Sequence, residues 1–419
     1  MRRTFEYSAP AEALSRVIEI IRPQRLNSEA VKVEKAFGQV LAEDVLAGIN
    51  IPEYDSSRFD GFAVRAEDTV EASKDNPISF KVKDEVRLGK MVDIELGQGE
   101  ACKIPTGGFL PSKADAVVMA ERVTSPRKGI IRIHHPLGPH ENVIAKGEDA
   151  KKGDKILFKG RILRAQDVGL LAALGIERVH VFRKPRIPII STGNELVENV
   201  KEKKVGEVLQ SHGYMISRLV ERMGCIPIDL GIVPDDISFL RDRIVEGLRE
   251  GDLLMTIGGC SVGDRDYVPD AIQDAGEDVS IIQGVKRRPG RVSGVGIVDG
   301  KPIVMLPGHI QSAFVGFHLF AIPLIRRISG TSEKELCFTI KAKVSKEVLF
   351  KRSEEFENAV FVKLDRELEG WTAKPIVGDS SLLKTLVEAD GFTIVPSGKK
   401  MLTEGEEVDV NLVAGFSWV

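Results

Sequence analysis

The fold of this chain is decided by four stretches of sequence: RIPIISTGNE (186–195), IPIDLGIVPDD (226–236), DLLMTIGGCS (252–261) and KPIVMLPGH (301–309). Each contains an apolar run that is too short for a helix, and the first two and the last are rich in Ile or Val, as in strands buried on both faces. Helical stretches lie between them, notably YMISRLVERMG (214–224) and ISFLRDRIVEGLRE (237–250). Strands that alternate with helices predict a central, doubly wound α/β domain with a parallel sheet, which we assign to residues 183–330.

The sequence on either side of this segment has a different periodicity. Residues 51–141 contain runs such as IIRIH (130–134), which alternate with a period of two between Gly and Pro residues and predict a β-rich inserted domain. The flanking segments 1–50 and 142–182 are then expected to form one N-terminal helical and linker domain, with a helical run at about 28–46. Alternating runs after Gly330 predict a C-terminal, β-barrel-like domain over 331–419.

Composition excludes several classes of protein. The 419 residues exceed one ordinary domain, and 42% hydrophobic with 29% charged residues is typical of a globular protein. A net charge of −3 argues against a general affinity for nucleic acid or an anionic membrane. No signal peptide and no run of about 20 apolar residues is evident, so we expect a cytoplasmic protein. The four cysteines show no CxxC spacing, which argues against a zinc site or a disulfide framework.

Three polar loops follow predicted parallel strands, and ligands bind at this edge of an α/β sheet. The loops are STGNELVE (191–198), GGCSVGDRDYV (258–268) and PGHIQS (307–312). Glycines allow backbone amides to approach an anion, and the second loop supplies the candidates Gly258, Gly259, Ser261 and Gly263. Glycines also make ordinary tight turns, but three such loops on one edge favour a binding site. Neither GxGxxG nor GxxxxGK[ST] is present, which argues against a typical dehydrogenase or P-loop kinase.

Acidic and basic side chains accompany these loops. The carboxylates are Glu195, Asp235 beside Asp236, Asp264 and Asp266. Acidic residues beside an anion site suggest Mg²⁺, whose preferred ligands are oxygens, although each could instead be a helix cap or a solvated charge. The segment KRRPGR (286–291) contains a Pro-Gly turn that can present Arg288 and Arg291 together, or can be a solvated basic turn.

A set of motifs in a fixed order resembles a known family. The motifs are IPEYDSSRFDGFAV (51–64), IPTGGFLPSKADAVV (104–118), KGEDAKKGD (146–154), RKPRIPIISTGNELVE (183–198), GIVPDD (231–236), GGCSVGDRDYV (258–268), LPG (306–308) and DSSLLKTLVEADGFTIVP (379–396). They cover nearly the whole chain and are similar to those of the molybdopterin molybdenumtransferases, the MoeA-type proteins, to which the C-terminal part of gephyrin is also similar.

The resemblance implies a fold and a reaction. The family has four domains in an elongated L-shaped subunit and forms a homodimer with shared active sites. Its members take adenylylated molybdopterin and molybdate as substrates, with Mg²⁺, and release AMP and the molybdenum cofactor. A molybdopterin adenylyltransferase is then an expected partner. Tungstate is an equally acceptable oxoanion by size and charge.

The resemblance also assigns roles to individual residues. Asp60 and Thr106 match positions that reach across the dimer. Glu195, Asp235 and Asp266 match the acidic residues around the nucleotide, pterin and Mg²⁺. Two serines match cofactor-binding positions, namely Ser261 and Ser312. The molybdate contacts are expected to be Arg352, Ser380 and Ser381.

This sequence departs from the family pattern in three loops. Gln210-Ser211-His212 replaces a DSN-like triplet, Arg291-Val292 replaces Lys-Pro of PGKP, and His309-Ile310 replaces Asn-Pro of LPGNP. His309 is expected either to face the ligand or to be a solvated or helix-capping residue. The departures keep a second hypothesis open, a non-catalytic pterin- or nucleotide-binding paralogue or assembly scaffold. A third, a nucleotide pyrophosphatase or amidase sharing only the α/β domain, is weakened because the outer domains also match.

Overall fold

The computed structural model describes residues 6–21, 26–90, 93–261, 263, 266–332, 339–350, 354–368 and 370–413. The central domain is built on a six-stranded sheet, whose strands in spatial order are Ile226–Val233, Arg186–Thr192, Leu254–Ile257, Lys301–Leu306, Gly294–Val298 and Val279–Gln283. The first four are parallel, as the sequence predicted. The strand Gly294–Val298 pairs antiparallel with both of its neighbours, Lys301–Leu306 and Val279–Gln283, so the sheet is mixed. A two-residue turn, Asp299-Gly300, joins the strands Gly294–Val298 and Lys301–Leu306. Both turn residues have positive φ angles, 51° and 83°.

Helices cover both faces of this sheet. They are His212–Arg222, Ile237–Glu250, Val268–Gln273, Ile310–Gly316 with its π-helical continuation Phe317–Ala321, and Ile322–Ser329. Alternate residues of one strand enter opposite cores: Ile189 packs in one core cluster and Ile190 in the other. The helix Pro10–Ile20 also buries Ala13 and Val17 in the first of these cores, so it packs on the central domain. In the described part of the chain, no helix is long and apolar enough to cross a membrane.

The helix predicted over about 28–46 is wrong. This segment forms the strand Ser28–Lys32, one 3-10 turn at Val33–Lys35 and the strand Val45–Leu46. The two strands pair antiparallel with Arg178–Phe182 and Lys155–Leu157, about 150 and 110 residues further along the chain. Pairing with distant strands overrides a local helical periodicity. A helix of this N-terminal region lies instead at Ala165–Ala173.

The segment between these paired strands is the predicted β-rich insertion. It contains a six-stranded sheet, whose strands in spatial order are Ala116–Met119, Gly61–Val64, Glu100–Ile104, Ile78–Glu85, Ile130–Ile133 and Val123–Arg127. A separate two-stranded ribbon pairs Ser56–Ser57 with Val143–Ile144. Two short 3-10 turns complete it, Ala66–Thr69 and Ala120–Arg122. Buried side chains such as Phe80 and Ile131 form its own core.

The C-terminal region is a closed barrel, as predicted. Its strands in order are Glu357–Glu367, Gly370–Pro375, Thr339–Val344, Glu407–Leu412 and Gly391–Val395, and the last pairs back to the first. A ribbon of Val348–Leu349 with Met401–Leu402 and the helix Leu383–Glu388 lie outside it. Arg287–Arg288 of the central domain pairs parallel to the strand Glu357–Glu367 and so joins the two domains.

Aromatic side chains fix the barrel against the central domain. The ring of His318, in the π-helical segment, lies 4.2 Å from Phe314 and 5.1 Å from Phe392 of the barrel. Its Nδ1–H donates to the Phe314 carbonyl oxygen at 2.9 Å. Burial lowers the pKa of His318 to about 4, only partly offset by this hydrogen bond, so the imidazole is neutral near pH 7.

We expect His318 to make the stability of this interface depend on pH. A histidine whose pKa is about 4 when folded and ~6.5 when unfolded binds more protons in the unfolded state. Its contribution is therefore complete above pH ~6.5 and is lost as pH falls towards 4, on the order of 3 kcal/mol in total. His318→Phe should flatten the dependence of the thermal unfolding midpoint on pH between 6.5 and 4.5. The exposed His180 supplies the control, His180→Asn, and equal pH slopes in wild type and His318→Phe would contradict the argument.

Candidate functional site

A cavity of about 1090 Å³ opens at the carboxyl ends of the parallel strands, between the central domain and the barrel. All three predicted loops contribute to it, through Gly193, Gly258 and Gly308. The opposite wall comes from the barrel region and includes Phe350 and Phe361. This volume accommodates a ligand as large as a nucleotide.

The glycine loop has a backbone that only glycine permits. Gly258 and Gly259 have φ angles of 94° and 60°. A Cβ atom on Gly258 would lie 2.5 Å from the Thr192 carbonyl oxygen, and one on Gly259 would lie 2.9 Å from side-chain carbons of Thr192 and Val268. These glycines therefore let two strand ends meet closely beneath the cavity, in addition to leaving room for a ligand.

The three predicted acidic residues line this one cavity. Asp235 accepts hydrogen bonds from Thr192 Oγ1 at 2.9 Å and from the Asn194 amide at 3.3 Å. Asp266 Oδ2 accepts from the Gly263 amide at 2.7 Å, which closes the glycine loop. Glu195 follows the strand Arg186–Thr192 at the same edge. The carboxylates of Asp235 and Asp266 are thus held by hydrogen bonds at this edge of the sheet.

Asp236, next to one of these acids, has a structural role. Its Oδ1 accepts from the amides of Ser238 and Phe239 at 2.9 and 3.2 Å, and it caps the helix Ile237–Glu250. These hydrogen bonds, with that from the Ser238 hydroxyl, lower the pKa of Asp236. Of the two adjacent acids, the structure thus directs Asp235 towards the cavity and Asp236 towards the helix.

The acidic residues do not form a complete metal cage. Within the described ranges, no three His, Cys, Asp or Glu side chains are grouped closely enough to hold a metal ion together. Asp264 lies outside the described residues. Mg²⁺ commonly takes one or two protein carboxylates and completes its octahedron with water and phosphate oxygens. The carboxylates present fit that mode of binding, in which the substrate supplies the remaining ligands.

The basic turn presents both predicted arginines to the cavity. Gly290, with φ of 106°, makes the turn between Arg288 and Arg291. The guanidinium of Arg288 lies 4.4 Å from the ring centroid of Phe356. The preceding Arg287 forms an ion pair with Glu357 at 2.6 Å and holds the turn against the barrel.

His309 faces the cavity, as one of the two interpretations predicted. Its backbone occupies the N-cap of the helix Ile310–Gly316, but its side chain does not cap that helix. Instead its Nδ1 lies 2.9 Å from the Ser380 hydroxyl, across the seam between the two domains. Ser312 and Ser261 also line the cavity.

Of the residues predicted to contact molybdate, the structure places one at the cavity. Ser380 lines the cavity. Ser381 is turned to Asp379 Oδ1, to which its amide and hydroxyl donate at 2.9 and 2.7 Å, and it is not a lining residue. Arg352 lies outside the described residues.

Asp60 and Thr106 are brought together in the inserted domain. Asp60 Oδ1 accepts from the Thr106 amide at 2.7 Å and from its hydroxyl at 2.9 Å, and these bonds lower the pKa of Asp60. Neither lines the cavity of its own chain: every described lining residue lies between positions 191 and 380. Within one subunit the pair is therefore separate from the site.

Several lining residues were not predicted as site residues. Gln311 is buried, and its Nε2 donates to the carbonyl oxygens of Asp379 and Leu382 at 2.8 and 3.0 Å, which holds the barrel loop over the cavity. The barrel wall, with Phe350 and Phe361, gave no sequence signal because its position depends on domain packing. The sequence distinguishes His212 only as a departure from the family pattern, not as a site residue.

Cys260 lies in the glycine loop but is unsuited to nucleophilic chemistry. Burial, with a smaller effect from the charge of Asp266, raises the pKa of the Cys260 thiol to about 12. A thiol with that pKa is almost entirely protonated near pH 7, and the thiolate is the reactive form. The groups of this cavity that can act on a substrate are therefore its carboxylates, hydroxyls, imidazoles and guanidinium groups.

Comparison with known proteins gives a consistent result along the chain. Residues 9–175 match the MoeA N-terminal region (domain I and II), residues 188–327 match a family described as "Probable molybdopterin binding domain", and residues 348–413 match the MoeA C-terminal region (domain IV). The molybdopterin molybdenumtransferase of Staphylococcus aureus (strain COL) is 33% identical over 405 residues, covering 96% of this chain and 94% of that protein. The protein of that name from Staphylococcus epidermidis (strain ATCC 12228) is 31% identical over 411 residues, 97% and 96% of the two chains.

Solved structures agree with these matches. The molybdopterin biosynthesis moeA protein from Pyrococcus horikoshii OT3 has a TM-score of 0.84 with 30% identity, covering 97% of this chain and 100% of that one. Another Pyrococcus moeA structure has a TM-score of 0.80 with 34% identity, covering 98% and 100%. The similarity therefore extends over all domains.

We expect Gly258→Ala to damage the site through its backbone. The added methyl group would clash with the Thr192 carbonyl oxygen and would strain a residue at positive φ, so the strand ends should separate. The thermal midpoint should fall and binding of AMP, measured by calorimetry, should be lost. Gly169→Ala is the matched control, because Gly169 lies on an exposed helix surface with nothing within 4 Å. That variant should be as stable as wild type or more so, by up to about 1 kcal/mol. Normal AMP binding by Gly258→Ala would contradict this account.

Proposed function

The chain belongs to the MoeA family of molybdopterin molybdenumtransferases, and we propose that it inserts molybdenum from molybdate into a molybdopterin bound in the cavity between the central domain and the barrel. The observation that carries the proposal is the composition of that cavity. Carboxylates, guanidinium groups and hydroxyl groups from widely separated segments of the chain converge on one volume of about 1090 Å³. An anionic substrate of nucleotide size and a small oxoanion both match such a set.

The substrate is proposed to be adenylylated molybdopterin. Gly258 and Gly259 line the cavity at the strand end and carry no side chain, so phosphate oxygens can approach their backbone. Arg288 and Arg291, which line the same cavity, supply positive charge. Ser312 and Ser380 offer hydroxyl groups to an oxoanion at the seam with the barrel. Tungstate meets the same contacts as molybdate because the two oxoanions are nearly equal in size and charge.

The proposed role of the acids is to hold the reacting phosphate in place. Mg²⁺ bound between carboxylates and substrate would neutralise the charge that develops on the phosphate oxygens. Asp235 and Asp266 are fixed by their hydrogen bonds to Thr192 and the Gly263 amide, so their remaining lone pairs keep one direction. When water attacks the adenylyl phosphorus, the phosphate of molybdopterin leaves and AMP forms directly. When an oxygen of the oxoanion attacks, the product is an adenylyl-molybdate, which releases AMP once water cleaves its P–O–Mo bond. The two dithiolene sulfurs of molybdopterin then bind molybdenum and displace molybdate oxygen as water. Preorganised charge accounts for most of such catalysis.

We propose that the site is completed in a homodimer. Asp60 and Thr106 match the family positions that reach across the dimer, and they line no part of the cavity of their own chain. A carboxylate held by two hydrogen bonds on a separate domain is suited to complete a neighbouring subunit's cavity. The enzyme is further proposed to act in the cytoplasm and to receive its substrate from a molybdopterin adenylyltransferase.

One observation favours the alternative, a binding protein of the same family without turnover. Gln210 replaces the family's acid and is buried, and its Nε2 donates to Ser191 Oγ at 3.0 Å. The cavity floor therefore lacks one carboxylate at that point. Anaerobic incubation of the protein with adenylylated molybdopterin, Mg²⁺ and molybdate separates the two functions, because only the enzyme releases AMP.

We expect Asp266→Asn and Glu195→Gln to lose Mg²⁺-dependent AMP release while remaining folded. The amide oxygen of an asparagine can still accept from the Gly263 amide, so the first change removes charge but keeps the loop. The loss should be on the order of 100-fold or more, as for other electrostatic catalytic groups. Asp236→Asn is the control, since Asn is an equally good N-cap, and it should retain wild-type rates. Unchanged AMP release by both cavity variants would exclude these acids from the mechanism.

We expect subunit mixing to restore activity if the sites are shared. Asp60→Ala and Asp266→Ala homodimers should each be inactive, but a heterodimer contains one site in which both acids are intact. Unfolding and refolding an equimolar mixture should restore about a quarter of wild-type activity, since half of the dimers are then mixed and each has one working site. Sedimentation checks the dimer independently. A monomer of 46.0 kDa at micromolar concentration, or a mixture that stays inactive, would place each site within one chain.

A further inference from the structure

Two histidines from distant parts of the sequence, His212 and His309, line the same cavity. His212 begins the helix His212–Arg222, and His309 follows the strand Lys301–Leu306. Both line the cavity, and a positive charge on His309 acts on His212. Burial and, to a smaller extent, this charge lower the pKa of His212. The two residues therefore lie at one cavity, close enough for the charge of one to affect the other, although 97 positions separate them in sequence.

The ring of His309 is held in place from the other domain. Ser380 Oγ lies 2.9 Å from its Nδ1, which leaves Nε2 as the nitrogen available to a ligand. The loop that carries Ser380 is fixed in turn by the buried Gln311, whose backbone amide donates to the Ser380 carbonyl oxygen at 3.1 Å. The imidazole is thus positioned at the seam and not on a free surface loop.

The charges facing this pair are nearly balanced. Among described residues, three carboxylates and two guanidinium groups line the cavity, so its formal charge is −1 when both histidines are neutral. The charged residues are Glu195, Asp235, Asp266, Arg288 and Arg291. Asp379 of the barrel loop also acts on His309, and its own carboxylate accepts from Ser381. Protonation of both imidazoles changes the charge of the lining from −1 to +1. Uptake of two protons therefore makes the formal charge around the cavity more positive by two units, which favours an anion.

We propose that His212 and His309 are a proton-linked pair that positions a dianionic oxoanion in the cavity, and that each binding event takes up protons from solvent. In the empty site the mutual repulsion of two imidazolium ions opposes double protonation. A dianion beside the rings cancels that repulsion and stabilises both protons. The identity of the oxoanion as molybdate or tungstate rests on the proposed function, whereas the coupling to protons does not.

Calorimetric titration of the full-length protein with molybdate alone, without Mg²⁺ or pterin, tests the pair. Molybdate keeps its charge between pH 6 and 8, so any pH dependence belongs to the protein. Measurement in two buffers with different ionisation enthalpies gives the number of protons taken up. If bound molybdate raises the proton affinity of each ring by about one pKa unit, the wild-type affinity falls up to about 100-fold from pH 6 to pH 8.

The variants assign this dependence to individual rings. His212→Asn and His309→Asn should each keep up to about a 10-fold dependence on pH, and the double variant should show neither proton uptake nor pH dependence. Ser380→Ala should bind molybdate more weakly than wild type but should keep proton uptake, because it releases the ring of His309 without removing it. His180→Asn, on an exposed strand position of the N-terminal region, should match wild type throughout.

Two outcomes would overturn the proposal: molybdate binding by wild type with no proton uptake, or proton uptake that is unchanged in the double variant. The assay of AMP release separates this result from the proposed function. Turnover without proton-linked binding would exclude the histidine pair and leave the transferase. Proton-linked binding of molybdate without turnover would support the pair and exclude the enzyme.

Discussion

The close contact between Gly258 and Thr192 is the interaction on which the binding site depends. It brings the ends of two parallel strands together. A Cβ atom on residue 258 would lie only 2.5 Å from the Thr192 carbonyl oxygen, so only glycine permits this approach. Asp235 is then fixed by the Thr192 hydroxyl, and the glycine loop turns back to Asp266. Separation of these strand ends would displace the loops that carry Asp235 and Asp266.

The second requirement is the seam between the central domain and the barrel. Arg287 and Glu357 form an ion pair across it, Gln311 bonds the barrel loop, and His318 packs among aromatic rings of both domains. These contacts place Phe350, Phe361 and Ser380 opposite the strand ends. A strand edge that would otherwise face solvent becomes one wall of a cleft between two domains, in which charged groups act on each other more strongly than they would in water.

The electrostatics of the cavity follow from this enclosure. Acids lie at the strand ends, and arginines lie on the turn that faces the barrel. The buried thiol of Cys260 stays protonated, so it adds no charge. A site with fixed charges of both signs and two histidines suits a substrate that carries several negative charges and a metal ion. Of the departures from the family pattern, Gln210 removes a negative charge from this volume, and His212 and His309 add groups that can take up a proton.

Local pattern was enough to predict the alternating strands and helices of the central domain, the β-rich insertion and the C-terminal barrel, because the period of apolar residues reflects which faces are buried. The glycine loop and the acids at strand ends were also predictable, since parallel strands must end at one edge. Pairing between distant segments was not. Ser28–Lys32 is a strand because it pairs with Arg178–Phe182, and the same sequence read locally favoured a helix. Tertiary packing alone decided which of Asp235 and Asp236 enters the cavity, turned Ser381 away from it, and brought His212 and His309 to the same cavity. The direction of each of these side chains depends on neighbours that only the folded chain brings together.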